Sequence, residues 1–349
     1  MRKVRLSAVA AAAIAGIVTL LPAVPATAVG SKSLRTPPIA HGSYADITVP
    51  RATSTEAEDL TDAGQVIGCF ERGGHEHGFS LQHGAFTVLT HRSVGRASAQ
   101  TCAFGVSSTG AIVGMFANKT GPMRGFVYRH GTFRTIAAPR AGRATEDGTA
   151  AIDINKNGVI VGWYITAKHV QHGFILRGFK FRTVDAPGAA ESAGGGTGLT
   201  GIADNGTISG TYRTRDGLSH GFWLRHGAFH HIKVPGGRNT VVDCISDRNG
   251  LLVGTYRVAG RRKVFGFSEH HRVFRTLRDP SAIRGTAPQC GSDTGQVVGF
   301  YFGSAGPSVG FEFTPGTASP AITAPLDGPM ASPAISRFLP TKTGLRPAK

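Results

Sequence analysis

The chain has 349 residues, of which 49 are glycine, and only 17% are charged while 40% are hydrophobic. Lysine and arginine outnumber aspartate and glutamate by 38 to 21, which gives a formal net charge of +17. This composition excludes a coiled coil or long-helix protein, and its apolar content excludes a fully disordered chain. The single apolar run, at the N terminus, is too short for a polytopic membrane protein.

The first 28 residues have the three parts of a secretory signal peptide. Arg2, Lys3 and Arg5 supply positive charge, residues 6–21 are apolar, and Ala26-Thr-Ala28 has the small residues of a signal-peptidase site. We therefore expect cleavage after Ala28 and a secreted, extracellular mature chain. An uncleaved membrane anchor is the alternative, although the apolar run is short for a span.

A short motif, consisting of two apolar residues, glycine, any residue and an aromatic residue, returns six times, once with Ser in its second place. Its glycines are spaced by 46, 48, 48, 44 and 45 residues and are Gly68, Gly114, Gly162, Gly210, Gly254 and Gly299. A turn that ends in glycine precedes each copy, and a Gly-Phe pair follows it. Such a period indicates a repeat architecture.

Within one unit the sequence pattern is that of β-strands. In the third unit we predict a tight turn at Asn157-Gly158 and a stop at Pro187. The predicted strands of this unit are Ile152–Asn155, Val159–Tyr164, His172–Leu176 and Phe181–Val184. Four short strands in roughly 46 residues are typical of one blade of a β-propeller. We therefore predict an all-β, six-bladed β-propeller.

The two ends of the repeat region indicate how the ring closes. The sixth unit ends at Phe313-Thr-Pro-Gly316 without a fourth strand, whereas an unassigned strand, Tyr44–Ile47, precedes the first unit. We predict that this N-terminal strand completes the last blade, because ring closure removes exposed sheet edges. An open solenoid is the alternative. The propeller then spans residues 44–316, after a linker over 29–43 and before a disordered basic tail over 317–349.

The repeats resemble the HAF-type extracellular repeat, a family of exported bacterial repeats. Ile154-Asn-Lys-Asn-Gly-Val-Ile-Val-Gly-Trp-Tyr164 followed by His172-Gly-Phe174 fits that pattern best, and units one, two, five and six depart from it at the Ile-Asn or the His position. The resemblance covers Tyr44 to Gly316 and implies export and a β-repeat fold. It supplies no catalytic residues to carry over.

Four cysteines in an exported chain favour two disulfides over a metal site, and no Cys-x-x-Cys pair occurs. Cys244 and Cys290 occupy near-equivalent first-strand positions of adjacent units, and Cys69 and Cys102 also lie in neighbouring units. We predict the pairs Cys69–Cys102 and Cys244–Cys290, provided that the Cα atoms come within about 7 Å.

No known catalytic motif stands out, and no pair of carboxylates can be assigned to acid–base work. Asp153-x-Asn155-x-Asn157-Gly158 copies half of a calcium loop, but Tyr164 stands where the loop needs glutamate, so a hairpin turn explains it. The histidines are distributed around the predicted ring and are interpreted as structural. We expect no metal and no cofactor. The six motif aromatics are expected to pack between blades, with a sugar-stacking ring as the alternative.

The positive charge points to an anionic partner. In a propeller the loops after the second strands share one face, and here they are long and mostly basic. The densest candidates lie on two neighbouring units and are Arg213, Arg215, Arg257, Arg261, Arg262 and Lys263. Arginine suits phosphate and carboxylate groups because its planar fork donates two parallel hydrogen bonds.

We therefore predict a secreted, monomeric, non-catalytic binding or scaffold propeller. Its expected partner is an anionic polysaccharide, teichoic acid or other cell-surface polymer. A propeller hydrolase or lyase acting on extracellular glycans is the alternative. Polar residues that differ from blade to blade at the axis would favour the enzyme, whereas uniform blades would favour binding.

Overall fold

The computed structural model describes residues 36–91, 100–118, 120–261, 263–303 and 306–316, and the short segments 322–323 and 329–330. These residues form 26 β-strands and no helix, so the fold is all-β as predicted. Accordingly, the described part of the chain contains no helix that could cross a membrane. The predicted signal peptide lies outside the described residues.

The strands follow the predicted repeat of four per unit. Unit 1 contains β2 (Ser54–Leu60), β3 (Val66–Arg72), β4 (His75–Gln82) and β5 (Ala85–Leu89). Unit 2 contains β6 (Gln100–Val106), β7 (Ile112–Ala117), β8 (Arg124–Arg129) and β9 (Thr132–Ile136). Unit 3 contains β10 (Gly148–Ile154), β11 (Ile160–Ile165), β12 (Gln171–Arg177) and β13 (Lys180–Val184).

The second half of the chain continues the same order. Unit 4 contains β14 (Gly196–Ile202), β15 (Ile208–Arg213), β16 (Ser219–Arg225) and β17 (Ala228–Ile232). Unit 5 contains β18 (Gly237–Ile245), β19 (Leu252–Val258), β20 (Val264–His270) and β21 (Val273–Leu277). Unit 6 contains β22 (Gly285–Gly291), β23 (Val297–Phe302) and β24 (Ser308–Pro315), and its fourth strand is the N-terminal β1 (Gly42–Ile47).

Short parallel bridges join neighbouring units, including Met123 with Gly148 between units 2 and 3. Hydrogen bonding groups the strands into three sheets, which contain units 1 and 2, units 3 and 4, and units 5 and 6. In each pair a parallel bridge links the third strand of one unit to the first strand of the next, at Glu76 and Gln100, Gln171 and Gly196, and Val264 and Gly285.

The N-terminal strand completes unit 6 as the sequence predicts. β1 runs antiparallel to β24, with Tyr44 opposite Phe313 and Asp46 opposite Phe311. Asp46 accepts a hydrogen bond from the hydroxyl of Tyr301 at 3.2 Å. Tyr164 makes the equivalent contact to Thr183 of β13 at 3.0 Å. β1 therefore occupies in unit 6 the place that β13 occupies in unit 3.

A threonine near the start of each first strand, in second place in five of them and in fourth place in β18, ties that strand to the chain that enters it. Its hydroxyl accepts the amide hydrogen of a residue that follows the preceding fourth strand, at 2.9 to 3.4 Å. These threonines are Thr55, Thr101, Thr149, Thr197, Thr240 and Thr286, and all six are buried. Val49, after β1, uses Thr55 in this way, which again makes β1 equivalent to the other fourth strands.

The repeated glycine of the sequence motif is required by a close approach. A Cβ at Gly68 would lie 2.0 Å from the carbonyl oxygen of Glu56 and 2.9 Å from the ring of Phe79. A Cβ at Gly114 would meet Cys102 and Phe126 in the same way. The phenylalanines of the Gly-Phe pairs are fully buried, as are the motif aromatics from Phe70 to Tyr301, so these rings form the core and do not form an exposed stacking surface.

Neighbouring first strands are clamped within each pair of units. Asp59 accepts the amide hydrogen of Val106, and Asp153 accepts that of Ile202, both at 2.7 Å. In units 5 and 6 the disulfide Cys244–Cys290 takes this place, with 5.1 Å between the Cα atoms. A second disulfide, Cys69–Cys102, joins units 1 and 2 with 5.0 Å between the Cα atoms. These are the two pairings that the sequence predicts.

Segments outside the six units cover sheet edges. Residues 37–40 hydrogen-bond to Thr276 of β21. In the predicted tail, β25 (Ile322–Thr323) pairs with β21 and β26 (Pro329–Met330) pairs with β17. The remainder of the tail lies outside the described residues. These short pairings occupy fourth-strand edges that would otherwise offer free hydrogen-bonding groups.

Candidate functional site

The first strands surround a small axial cavity. Each of them carries a β-bulge at the same place, and the bulged residues are Glu58, Phe104, Ile152, Thr200, Asp243 and Gln289. All six line one cavity of about 20 Å³. A β-bulge re-aims a side chain, and here each bulge directs one side chain to the axis. The cavity has room for about one water molecule or one ion.

Two of the axial residues are carboxylates that lie away from solvent. Glu58 is 7% exposed and Asp243 is 4% exposed. Burial raises the pKa of Glu58 well above its usual range, and nearby Glu56 and Asp243 raise it further. Burial likewise raises the pKa of Asp243. Neither carboxylate oxygen of Asp243 has a hydrogen-bond partner among the described residues.

A second cavity, also of about 20 Å³, lies towards the turns between the first and second strands. It shares Asp59, Asp153 and Cys290 with the axial cavity, so the two cavities are adjacent. Its other acidic lining residues are Asp62, Asp247 and Asp293, and we call this end the acidic mouth. Burial and the neighbouring carboxylates raise the pKa of Asp247 to about 7.

Most carboxylates of the acidic mouth already have partners. Arg248 forms ion pairs with Asp62 and Asp293 and so joins units 1, 5 and 6. Asp153 accepts the amide hydrogens of Ile154 and Ile202, and burial raises its pKa to about 6 against the effect of those two donors.

The opposite end of the axis carries two glutamates of unit 1. Glu56 accepts a hydrogen bond from the hydroxyl of Ser308 in unit 6 at 2.7 Å. Glu76 is 9% exposed, and its Oε2 has no partner among the described residues. Burial, together with Glu56 and Glu71, raises the pKa of Glu76 to about 8. Acidic groups thus extend along the axis of a chain whose net charge is strongly positive.

The predicted basic residues lie at this same end, on loops at the periphery. The amide of Ser219, which ends the loop after β15, donates to Asn239 at 3.1 Å. Asn239 in turn lies opposite Arg257 in the β18–β19 pairing. The loops that carry Arg213 and Arg257 are therefore neighbours. We call Arg213, Arg215, Arg238, Arg257, Arg261 and Lys263 the basic surface; Arg238 was not predicted, and Arg262 lies outside the described residues.

The members of the basic surface differ in exposure. Arg215, Arg238, Arg261 and Lys263 are exposed, whereas Arg213 and Arg257 are half-buried. Arg213 also donates to the carbonyl oxygen of Gly194 at 3.1 Å, and burial lowers its pKa. Arg213 thus holds the loop before β14 as well as contributing charge.

No residue of the basic surface forms an ion pair among the described residues. The ion pairs among the described residues are Lys156–Asp204, His169–Asp147, His172–Asp185, Arg248–Asp62 and Arg248–Asp293. None of them includes a residue of the basic surface. Asp216, in the same loop as Arg215, accepts hydrogen bonds from Thr214 and Leu218 of its own loop instead.

The basic loops could be identified from the sequence, whereas the residues that line the axial cavity could not. The bulge adds one residue to each first strand, so simple alternation assigns the axial side chain to the wrong face. The residue at that place also differs in every unit, and a search for repeated residues therefore passes over it. The six threonines, by contrast, repeat in every unit and could have been found by aligning the units.

No protein-family model matches the chain, and no curated protein matches its sequence. Among solved structures, AofleA from Arthrobotrys oligospora is similar with a TM-score of 0.51 and 10% identity, over 84% of this chain and 94% of that one. A mutant of the Aleuria aurantia lectin, in complex with Fucalpha1-6GlcNAc, is similar with a TM-score of 0.50 and 14% identity, over 82% of this chain and 98% of that one. Another structure of this lectin, at a TM-score of 0.48, is described as a six-bladed β-propeller. The likeness to the Aleuria aurantia lectin extends over most of both chains and concerns the fold.

Proposed function

We propose that this chain is a secreted, six-bladed β-propeller, closed by its N-terminal strand, that binds an anionic carbohydrate polymer without changing it chemically. The observation that carries the proposal is the basic surface, which gathers cations of units 4 and 5 with no carboxylate partner among the described residues. Unpaired surface charge attracts a polymer of opposite charge over the screening length, which is about 8 Å at physiological ionic strength.

Three further features support it. The pairing of β1 with β24 and the contact between Glu56 and Ser308 bring the first and last units together, as a closed ring requires. Two disulfides suit an oxidising, extracellular compartment, which agrees with the signal-peptide pattern. A mutant of the Aleuria aurantia lectin, in complex with Fucalpha1-6GlcNAc, is similar in fold, and a carbohydrate partner is consistent with that likeness.

The enzyme alternative has one observation in its favour and one against it. The axial residues are polar in four units and differ from unit to unit, as a catalytic axis would require. However, the cavity that they line measures about 20 Å³, which accommodates a water molecule but not a sugar ring. A glycosidase needs both carboxylates beside the scissile bond, and the size of this cavity opposes that placement of Glu58 and Asp243.

The test compares retention on immobilised polyanions. The variant Arg257→Ser, Arg261→Ser, Arg262→Ser, Lys263→Ser should elute from teichoic acid, heparin or acidic polysaccharide resins at much lower salt than the parent. The matched control removes the same charge from turns at the other end of the strands, as Arg129→Ser, Arg177→Ser, Lys180→Ser, Arg225→Ser. These four residues are exposed.

Equal elution of both variants would show that only net charge matters, and it would refute the proposed surface. A glycan array that includes fucosides distinguishes an anionic from a neutral ligand. The chain length of each polymer after incubation decides the enzyme alternative: shortening that Asp243→Asn abolishes would establish catalysis. N-terminal sequencing of the exported protein should begin at Val29.

A further inference from the structure

The polar axial residues come from one side of the axis. Thr200, Asp243, Gln289 and Glu58 belong to units 4, 5, 6 and 1, whereas Phe104 and Ile152 belong to units 2 and 3. Units 6 and 1 are neighbours through the contact of Ser308 with Glu56. Two carboxylates, an amide and a hydroxyl thus face one small cavity from adjoining units.

The charge of this group is not balanced by the protein. No lysine, arginine or histidine lines either cavity. Asp243 has two buried carboxylate oxygens without partners among the described residues. An uncompensated buried carboxylate is costly unless it is protonated, paired or bound to a cation. Asp243 lines the axial cavity of about 20 Å³, which is large enough for an ion.

We propose that the axis holds one hard divalent cation, of the Ca²⁺ class, between the carboxylates of Glu58 and Asp243. Gln289 and Thr200 line the same cavity and are the candidate neutral ligands, although the hydroxyl of Thr200 also donates to the carbonyl oxygen of Val242 at 2.9 Å. Oxygen donors of mixed charge are the ligands that Ca²⁺ takes in proteins. Two carboxylates also match the charge of a divalent ion. This inference holds whether or not the basic surface binds a polymer.

The sulfur atoms near the site do not change this assignment. A carboxylate oxygen of Glu58 and the sulfurs of Cys69 and Cys102 all lie within 4.8 Å of one another, and Asp59 stands in the same relation to Cys244 and Cys290. All four cysteines are in disulfides, so they offer no thiolate. Thiolates are what would select a soft metal or zinc. The donor set that remains is oxygen.

The acidic mouth is the nearest acidic surface to the axial cavity, because the two cavities share three lining residues. Asp59 and Asp153, which both cavities share, have their oxygens committed to amide hydrogens of Val106 and Ile202 and are not free to bind the ion. The half calcium loop of the sequence is likewise a turn. The side-chain oxygen of Asn155 accepts the amide hydrogens of Asn157 and Val159 at 3.1 Å.

The test uses the mature protein with its disulfides intact, treated with EDTA and then dialysed free of it. Calorimetric titration with CaCl₂ should give one site per chain, and CaCl₂ should raise the melting temperature relative to EDTA. A parallel MgCl₂ titration should be weaker, because Mg²⁺ demands a stricter octahedral shell and keeps its waters.

Asp243→Asn should weaken Ca²⁺ binding at least tenfold, and Glu58→Gln with Asp243→Asn should abolish both the binding and the thermal shift. The double variant should melt in EDTA no lower than the parent, because it removes two buried charges. The control, Glu146→Gln with Asp216→Asn, removes two exposed carboxylates and should bind as the parent does.

A folded parent with no heat of binding and the same melting temperature in CaCl₂ and EDTA would overturn the proposal. So would a double variant that binds Ca²⁺ like the parent, since the ion would then lie elsewhere. If neither variant folds, the titration of the parent still decides between these outcomes.

Discussion

Replacing Glu76 by glutamine should stabilise the protein at neutral pH. Glu76 lies opposite Glu71 in the β3–β4 pairing, and its pKa rises from 4.5 to about 8 through burial first and then the charges of Glu56 and Glu71. Glutamine has the size of the protonated carboxyl group and carries no charge. The substitution therefore removes the cost of ionising this buried group.

The magnitude follows from the displacement of the pKa. One pKa unit corresponds to about 1.4 kcal/mol. At pH 7, about 2.5 units above its usual pKa, the glutamate is ionised in the unfolded chain, whereas it is still protonated in the folded protein. Folding therefore takes up a proton, and this lowers the free energy of unfolding by about 3 kcal/mol. Because the folded pKa is the higher one, this cost is absent below about pH 4.5, grows as the pH rises and is complete above about pH 8.

Urea unfolding, followed by circular dichroism in EDTA at pH 5, 7 and 8.5, tests this reasoning. Relative to the parent, Glu76→Gln should gain little stability at pH 5 and about 3 kcal/mol at pH 7. The free energy of unfolding of the variant should therefore fall less between pH 5 and pH 7 than that of the parent. The control Glu146→Gln, an exposed carboxylate, should leave the pH dependence unchanged. A Glu76→Gln variant with the pH dependence of the parent would refute the assignment.

Three further predictions concern the architecture. Deleting residues 43–50 removes the partner of β24 and should cause aggregation or a large loss of stability. The control, removal of residues 331–349, should leave the melting temperature unchanged. If the protein without residues 43–50 melts like the parent, closure by β1 is refuted. Cys244→Ser with Cys290→Ser opens a disulfide across 46 residues and should lower the free energy of unfolding by about 4 kcal/mol in chemical denaturation; a loss below about 1 kcal/mol would contradict this. Gly105→Ala places a Cβ 2.5 Å from the carbonyl oxygen of Ile152 and should cost about 2 kcal/mol or more; Gly303→Ala, which has no atom within 4 Å, is the control and should be neutral.

The repeat and the disulfides could be predicted because each depends on a regular feature of the chain. Gly68 and its equivalents recur because a backbone carbonyl and a phenylalanine ring leave no room for a side chain, so the period is visible in the sequence. The N-terminal strand could be placed because Tyr44–Ile47 has the pattern of a fourth strand and unit 6 lacks one. The repeat and the N-terminal strand thus have causes that return from unit to unit, whereas the disulfides could be predicted because their cysteines lie in adjacent units.

The axis could not be predicted because its causes do not repeat. Glu58 and Asp243 converge only after a bulge in each first strand turns one residue toward the centre. Their partners in the cavity come from units that are distant in the sequence. The basic surface was partly predictable from the loop residues alone, yet Arg238 was missed because it follows a fourth strand, and the second role of Arg213 depends on its contact with Gly194.

The pairing of β1 with β24 also fixes the order in which the chain can complete its fold. β1 is synthesised before the six units, but its partner strand β24 comes after them, as the contact between Asp46 and Tyr301 across 255 residues shows. Contacts between residues so far apart in sequence form slowly. Until then both strands expose hydrogen-bonding edges, which are prone to aggregate. A chain that stops short of β24 can therefore fold most of its units and still have no way to protect its first strand.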